Sequence, residues 1–130
     1  MPALAKIGIT MGDPSGVGPE IIVKALQSMA PERRSASAVI GNIDIVRRAD
    51  RLLNANLTYV DSLDAARDGA VPVVHVPTKG QESIKDGQVS AAGGEAAYQY
   101  VVKAVELALA GKIAVIVTCL LYTSDAADEL

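Results

Sequence analysis

Apolar and polar positions along this chain follow two alternating rhythms. Short β-rich runs lie near Lys6–Thr10, Ser37–Gly41, Leu57–Tyr59, Val71–His75 and Ile113–Thr118. Between them the spacing lengthens to the helical period. Pro19–Met29 carries Ile21, Ile22, Ala25, Leu26 and Met29 as one stripe, and Ile43–Asn54 repeats the pattern with Ile45, Val46, Ala49, Leu52 and Leu53. The Ala55-Asn56 step closes that second helix. A short helix over Ser62–Arg67 leads to an Asp68-Gly69 turn, and Thr78 to Gln88 is a polar, glycine-containing loop. Ser90 offers an N-cap for a helix running to about Ala110, with Gly111 suited to the position past its end. Pro72 in the run Val71 to Pro77 predicts an edge strand, or a strand that begins after the proline.

Strands alternating with helices predict a layered αβα fold of the α/β class with a mainly parallel sheet. The long helix presents Ala92, Ala96, Ala97, Tyr100, Val101, Ala104, Val105 and Ala108, mostly small side chains that let it lie close on the sheet. Gly93 and Gly94 near its start permit close approach of a partner element or a ligand. Packing is the favoured reading of that pair.

The first strand runs directly into Gly12-Asp-Pro-Ser-Gly-Val-Gly-Pro-Glu20. Gly12, Gly16 and Gly18 can take φ > 0 and carry no Cβ to hold a ligand off. Pro19 suits the first helical position, and the N–H groups at the helix start near Gly18 can hold an anion such as a phosphate. Asp13 brings a carboxylate to the mouth of the loop to orient a polar ligand group, with Ser15 beside it. Glu20 complements the helix dipole. The loop is neither a Walker loop, since no Gly-Lys-Ser/Thr follows, nor Gly-x-Gly-x-x-Gly. A tight connection without a ligand is the alternative reading. Thr118 ends a strand where such sheets place ligands. The candidate ligand residues are therefore Gly12, Asp13, Ser15, Gly16, Gly18 and Thr118.

Composition narrows the function classes. Of 130 residues 50% are hydrophobic, and 12 basic residues face 15 acidic ones. With four Tyr, no Phe or Trp and only the pairs Arg33-Arg34 and Arg47-Arg48, read as solvated helix ends or faces, no nucleic-acid partner is expected. No apolar run reaches the roughly 18–20 residues of a membrane span. The start, Met1 to Lys6, leads into a strand rather than a signal sequence. No membrane partner and a cytoplasmic location are expected, and a single cysteine fits a reducing compartment. His75, the sole histidine, sits in an apolar strand with no second His or acidic cluster nearby, so no metal ligand is assigned.

The string Ile9-Thr-Met-Gly-Asp-Pro-Ser-Gly-Val-Gly-Pro-Glu-Ile-Ile22 resembles the amino-terminal signature of the 4-hydroxythreonine-4-phosphate dehydrogenase family. Gly87-Gln-Val-Ser-Ala-Ala-Gly-Gly-Glu-Ala-Ala97 and Gly111-Lys-Ile-Ala-Val-Ile-Val-Thr118 are similar to that family's next helix and strand, in the same order. The resemblance covers about residues 4 to 118. Beyond Thr118 the family pattern continues Ala-Pro-Ile-Asn-Lys, whereas this chain reads Cys119-Leu-Leu-Tyr-Thr-Ser-Asp-Ala-Ala-Asp-Glu-Leu130. That ending looks like translated adapter from transposase-based sequencing libraries. The expected division is thus an incomplete amino-terminal part of the dehydrogenase over 1–118 and an artefactual tail over 119–130.

The resemblance implies part of a two-domain, isocitrate/isopropylmalate-dehydrogenase-like architecture, with this chain a fragment of it. It implies NAD-dependent oxidation and decarboxylation of 4-phosphooxy-L-threonine to 3-amino-2-oxopropyl phosphate in pyridoxal 5'-phosphate biosynthesis. It further implies a homodimer, a phosphorylated small-molecule substrate, and a divalent metal cation held by histidines that lie beyond residue 118. The family's Gly-His-Thr segment and its Lys/Asn/Arg phosphate clamp lie there too, so no catalytic, NAD-binding or metal residue carries over. A sister enzyme acting on 4-phospho-threonate or erythronate fits equally, and a non-catalytic fragment is the reading from another class. The isolated chain is expected to be inactive and, with sheet edges and apolar surface uncovered, poorly soluble.

Overall fold

The computed structural model describes residues 5–65, 69–78 and 91–118. Strands β1 (Ile7–Thr10), β2 (Ser37–Gly41), β3 (Thr58–Val60), β4 (Ala70–His75) and β5 (Val115–Thr118) make a sheet in the order β3-β4-β2-β1-β5. Every pairing in it is parallel. Parallel neighbours cannot be joined by tight turns, so helices carry the chain back between them. These are α1 (Gly18–Gln27), α2 (Pro31–Ser35), α3 (Ile43–Leu53) and α4 (Ala91–Leu109), with a 3-10 turn at Leu63–Ala65 within the short helix expected over Ser62–Arg67, whose last two residues lie outside the described ones. From β1 to β3 the chain moves one way across the sheet, and α4 returns it to the far edge. The right-handed crossover rule then sets α1 and α3, which pack together, on one face and α4 on the other, across β1, β2 and β5.

The buried helical faces differ from the stripes read in sequence. In α1 the core side is Pro19, Ile22, Val23 and Leu26, and Ile21 and Ala25 face outward. In α3 it is Ile43, Val46, Ala49 and Asp50, and Leu52 is exposed. In α4 Ala96, Ala97, Tyr100 and Ala104 are buried as expected, Leu107 joins them, and Val105 points out.

Pro72 does not mark an edge strand, because β4 lies between β3 and β2. The ladder to β2 begins at Val39↔Val73, directly after the proline, and Pro72 itself pairs with Val60 of β3. A residue without an N–H is tolerated there because no β2 pairing is asked of it.

Helix α2 has no buried residue and no apolar stripe, so hydrophobic spacing does not reveal it. Its arginines are not solvated helix ends. Arg34 donates from Nε to Leu26 O at 3.0 Å and from Nη2 to Met29 O at 3.0 Å, satisfying carbonyls at the end of α1. Arg33 donates to Ala5 O and, at 3.2 Å, to Ala36 O. Helix α3 starts on Asn42, whose Oδ1 accepts from the N–H groups of Asp44 and Ile45, and stops on Asn54 at φ 52° rather than at Ala55-Asn56. Gly111, at φ 76°, ends α4 as expected, with Lys112 N–H donating to Leu107 O and Gly111 N–H to Ala108 O. The Ser90 cap, the loop through Gln88, the Asp68 turn position and the tail from Cys119 to Leu130 lie outside the described residues.

Asp50 ties α3 to β3. Its carboxylate is buried and accepts from Asn56 N–H at 3.0 Å, Leu57 N–H at 3.1 Å and the Tyr59 hydroxyl at 2.8 Å. Burial, then the hydrogen bond to Asp50 and its charge, raise the Tyr59 pKa well above the ordinary phenol value, with Arg34 opposing. Asp50→Ala leaves three donors without their acceptor and is expected to cost about 3 kcal/mol, read from urea unfolding. The folded chain also retains a phenol proton that the unfolded chain releases near pH ~10. This contribution is therefore full below about pH 10 and lost as pH rises above it. Thermal melts across that range, with Tyr59→Phe as the control that makes the decline shallower, check the sign.

Candidate functional site at the end of the first strand

Strand β1 holds two neighbours, β2 and β5, so its carboxyl end opens where their ends also gather. Met11 comes next, fully buried, and donates its N–H to Ile40 O at 2.9 Å. A Cβ on Gly41 would sit 2.6 Å from Met11 Cβ, so the absence of a side chain on β2 makes room for it. The chain then turns at Gly12, whose φ of 76° is open to glycine and strained for other residues. Gly16 and Gly18 are not among the positive-φ residues; Gly18 is simply the first residue of α1.

Asp13 organises the bend from Gly12 to Gly16. Its Oδ1 accepts from Ser15 N–H at 2.9 Å and from the Ser15 hydroxyl at 2.6 Å, and Gly16 N–H donates to Asp13 O at 2.9 Å. This is an Asx turn, a backbone bend held by its own side chain. The carboxylate rests against the first turn of α4 at Gly93. Close approach at Gly93 therefore serves a partner element, as the packing reading holds. The rest of the loop, Pro14 to Val17, and the start of α1 border a cleft of about 290 Å³ with Ile45, Arg48, Ala49 and Leu52 of α3 on its other wall. Val17, the N-cap of α1, makes no side-chain cap bond, and Arg48 and Glu20 give that cleft one cation and one anion.

Thr118 is brought to the same end, since Thr10 and Thr118 are paired in register. The structure thus gathers Gly12, Asp13, Ser15, Gly16, Gly18 and Thr118 around the carboxyl end of β1. Two hydroxyls nearby are not among the site residues read from the sequence. Thr10 Oγ1 and Tyr100 OH are fully buried and have no hydrogen-bond partner among the described residues. Burial, then the Asp13 charge, raises the Tyr100 pKa well above the usual phenol range. The sequence signal for Tyr100 is its place as a large polar-tipped residue among alanines on the packing side of α4.

His75 serves the fold. Its Nδ1 accepts the N–H of Ile43 at 3.2 Å, at the start of α3. Among the described residues no three His, Cys, Asp or Glu side chains stand together as a metal site, and no helix is long and apolar enough to cross a membrane.

Residues 33–126 match the family described as pyridoxal phosphate biosynthetic protein PdxA. A 4-hydroxythreonine-4-phosphate dehydrogenase of Trichlorobacter lovleyi is 35% identical over 118 residues, which is 87% of this chain and 35% of that protein. A Clostridium botulinum protein provisionally named a D-threonate 4-phosphate dehydrogenase is 32% identical over 117 residues, 86% of this chain and 35% of its own length. The crystal structure of a 4-hydroxythreonine-4-phosphate dehydrogenase from Burkholderia phymatum superposes with a TM-score of 0.79 at 34% identity, covering 97% of this chain and 39% of that one. The chain spans about a third of the length of these curated relatives.

Replacing Gly12 with Ala forces a side chain into the left-handed region and is expected to cost about 1–2 kcal/mol. Gly16→Ala, whose Cβ would lie 3.4 Å from Asp13 O, is expected to cost little. Parallel melts of the two variants separate a conformational requirement from simple crowding.

Proposed function

This chain belongs to the PdxA family of pyridoxal phosphate biosynthetic proteins, whose matched relatives are named as dehydrogenases, and from that membership we propose the activity of the intact protein. It oxidises the secondary alcohol of 4-phosphooxy-L-threonine with NAD and releases carbon dioxide, giving 3-amino-2-oxopropyl phosphate for pyridoxal 5'-phosphate synthesis. The observation that carries the reading is the turn at Gly12 to Gly16, set at the carboxyl end of the interior parallel strand β1 with Thr118 level with Thr10. Ligands of open α/β sheets bind outside those strand ends.

In the proposed reaction the secondary alcohol is oxidised to a 3-keto acid, which loses carbon dioxide and takes up a proton at the carbon that carried it. NAD would supply the hydride acceptor, and no described residue is assigned to hold it. The part taken by this chain is positional. Gly12 lets the backbone turn sharply at the strand end, Gly16 keeps its outer surface free of a side chain, and the uncapped start of α1 leaves N–H groups for a negatively charged group. The substrate phosphate adds binding energy remote from the reacting carbon, which serves orientation. A divalent cation is proposed for the intact protein, but the described residues supply no ligand set for one, so no step is derived through it. A homodimer in the cytoplasm, without nucleic-acid or membrane partners, completes the proposal.

A second reading, oxidation of D-threonate 4-phosphate or its erythronate isomer, is favoured by the naming of the Clostridium botulinum relative. The 130-residue chain by itself is proposed to be inactive, with residues 119–130 read as adapter; the family match runs on to residue 126.

Resequencing the source locus past the Thr118 codon, then assaying the recovered open frame for NADH formation with each 4-phosphate, tests the set. Turnover of 4-phosphooxy-L-threonine is expected. Turnover of D-threonate 4-phosphate alone would move the assignment to the second reading, and no NADH from either would defeat both. Finding the Cys119 to Leu130 codons in genomic DNA would remove the adapter reading, and turnover by the 130-residue chain would remove the inactive one.

A further inference from the structure

The adjacent glycines of α4 stand in opposite surroundings. A Cβ on Gly93 would lie 2.5 Å from Asp13 Oδ1, 2.8 Å from Oδ2 and 2.9 Å from Cγ, whereas one on Gly94 would meet no atom of the described residues within 4 Å. Neither glycine is at positive φ, so backbone conformation does not require either, and both weaken the helix relative to alanine. At Gly93 that weakness has a compensation, because only a residue without a side chain admits the carboxylate. The clashing atoms belong to the end of a side chain and could swing aside. Oδ1, however, is pinned by the Ser15 N–H at 2.9 Å and the Ser15 hydroxyl at 2.6 Å. Moving the carboxylate therefore means opening the Asx turn. A carboxylate at the first turn of a helix is also well placed against the helix dipole.

We propose that Gly93 is a positioning residue of the glycine loop: it is the seat that fixes the Asp13 carboxylate and, through it, Ser15 and Gly16. Calling that loop the rim of a ligand site rests on the function proposed above; the seat itself does not. The consequence is a division of labour. Asp13 acts inward, joining the loop to α4, and contact with a ligand falls to the outer side of Ser15 and Gly16 and to Thr118. Because α4 lies across β1, β2 and β5, the loop is keyed to three strands through one carboxylate.

Four variants of the intact protein test this without any assay of turnover: Gly93→Ala, Gly94→Ala, Asp13→Ala and the double variant Asp13→Ala with Gly93→Ala. Gly93→Ala is expected to lower the melting midpoint by roughly 5 °C and to remove amide-exchange protection at Ser15 and Gly16 ahead of the rest of the chain. Gly94→Ala is expected to leave both unchanged or to raise the midpoint. In the Asp13→Ala background, adding Gly93→Ala is expected to raise the midpoint, since the atoms it would strike are gone and alanine favours the helix. Equal losses from the two single glycine replacements, or an undiminished loss in the Asp13→Ala background, would overturn the proposal. If Gly93→Ala alone does not fold, folding of the double variant still supports the seat, and failure of both counts against it. An inactive parent enzyme would leave these outcomes untouched, so the two proposals fail separately.

Discussion

Parallel pairing of β1 with both β2 and β5 is the constraint on which the molecule depends. Strands that all point one way cannot be linked at their near ends, so every connection crosses a face and the starts of α1 and α3 meet at the carboxyl end. The glycine turn lies there because β1 ends there. Close packing sharpens the constraint. A Cβ on Gly8 would come within 2.5 Å of Ile113 Cδ1 and 3.0 Å of Ile40 Cδ1, so a bare position in β1 lets neighbouring branched side chains close over it.

Strand positions were legible because each is a short, dense apolar run. The Ser37–Gly41 reading coincides with β2, and the other four agree to within a residue or two. The existence of α1, α3 and α4 was equally plain, but helix facing was not, since Ile21, Ala25 and Leu52 satisfy the same spacing as residues that are buried. Elements held by polar side chains escaped periodicity altogether. Helix α2 has no apolar stripe and depends on Arg34 and Arg33 reaching backbone carbonyls. Asp50 sits among core residues of α3 as a charge, which a pattern search counts as surface.

At the site the same boundary recurs. Gly12 was readable because a strand running into a glycine turn is a local event. The meeting of Asp13 with Gly93 joins residues distant in sequence, and nothing in either neighbourhood announces it. Thr10 and Tyr100 are ordinary in sequence, and only their burial without partners among the described residues distinguishes them. Local chemistry was legible, whereas proximity created by the sheet was not.

The pairing of Gly8 with Ile116 spans roughly a hundred residues. A contact of that separation forms late, after the loop entropy between its ends has been overcome. During synthesis β1 emerges first among the described strands and waits with one side unpaired until β5 leaves the ribosome. The turn at the end of β1 is therefore made early in sequence and completed late in time, and any nascent chain stopped before β5 carries β1 as an open edge.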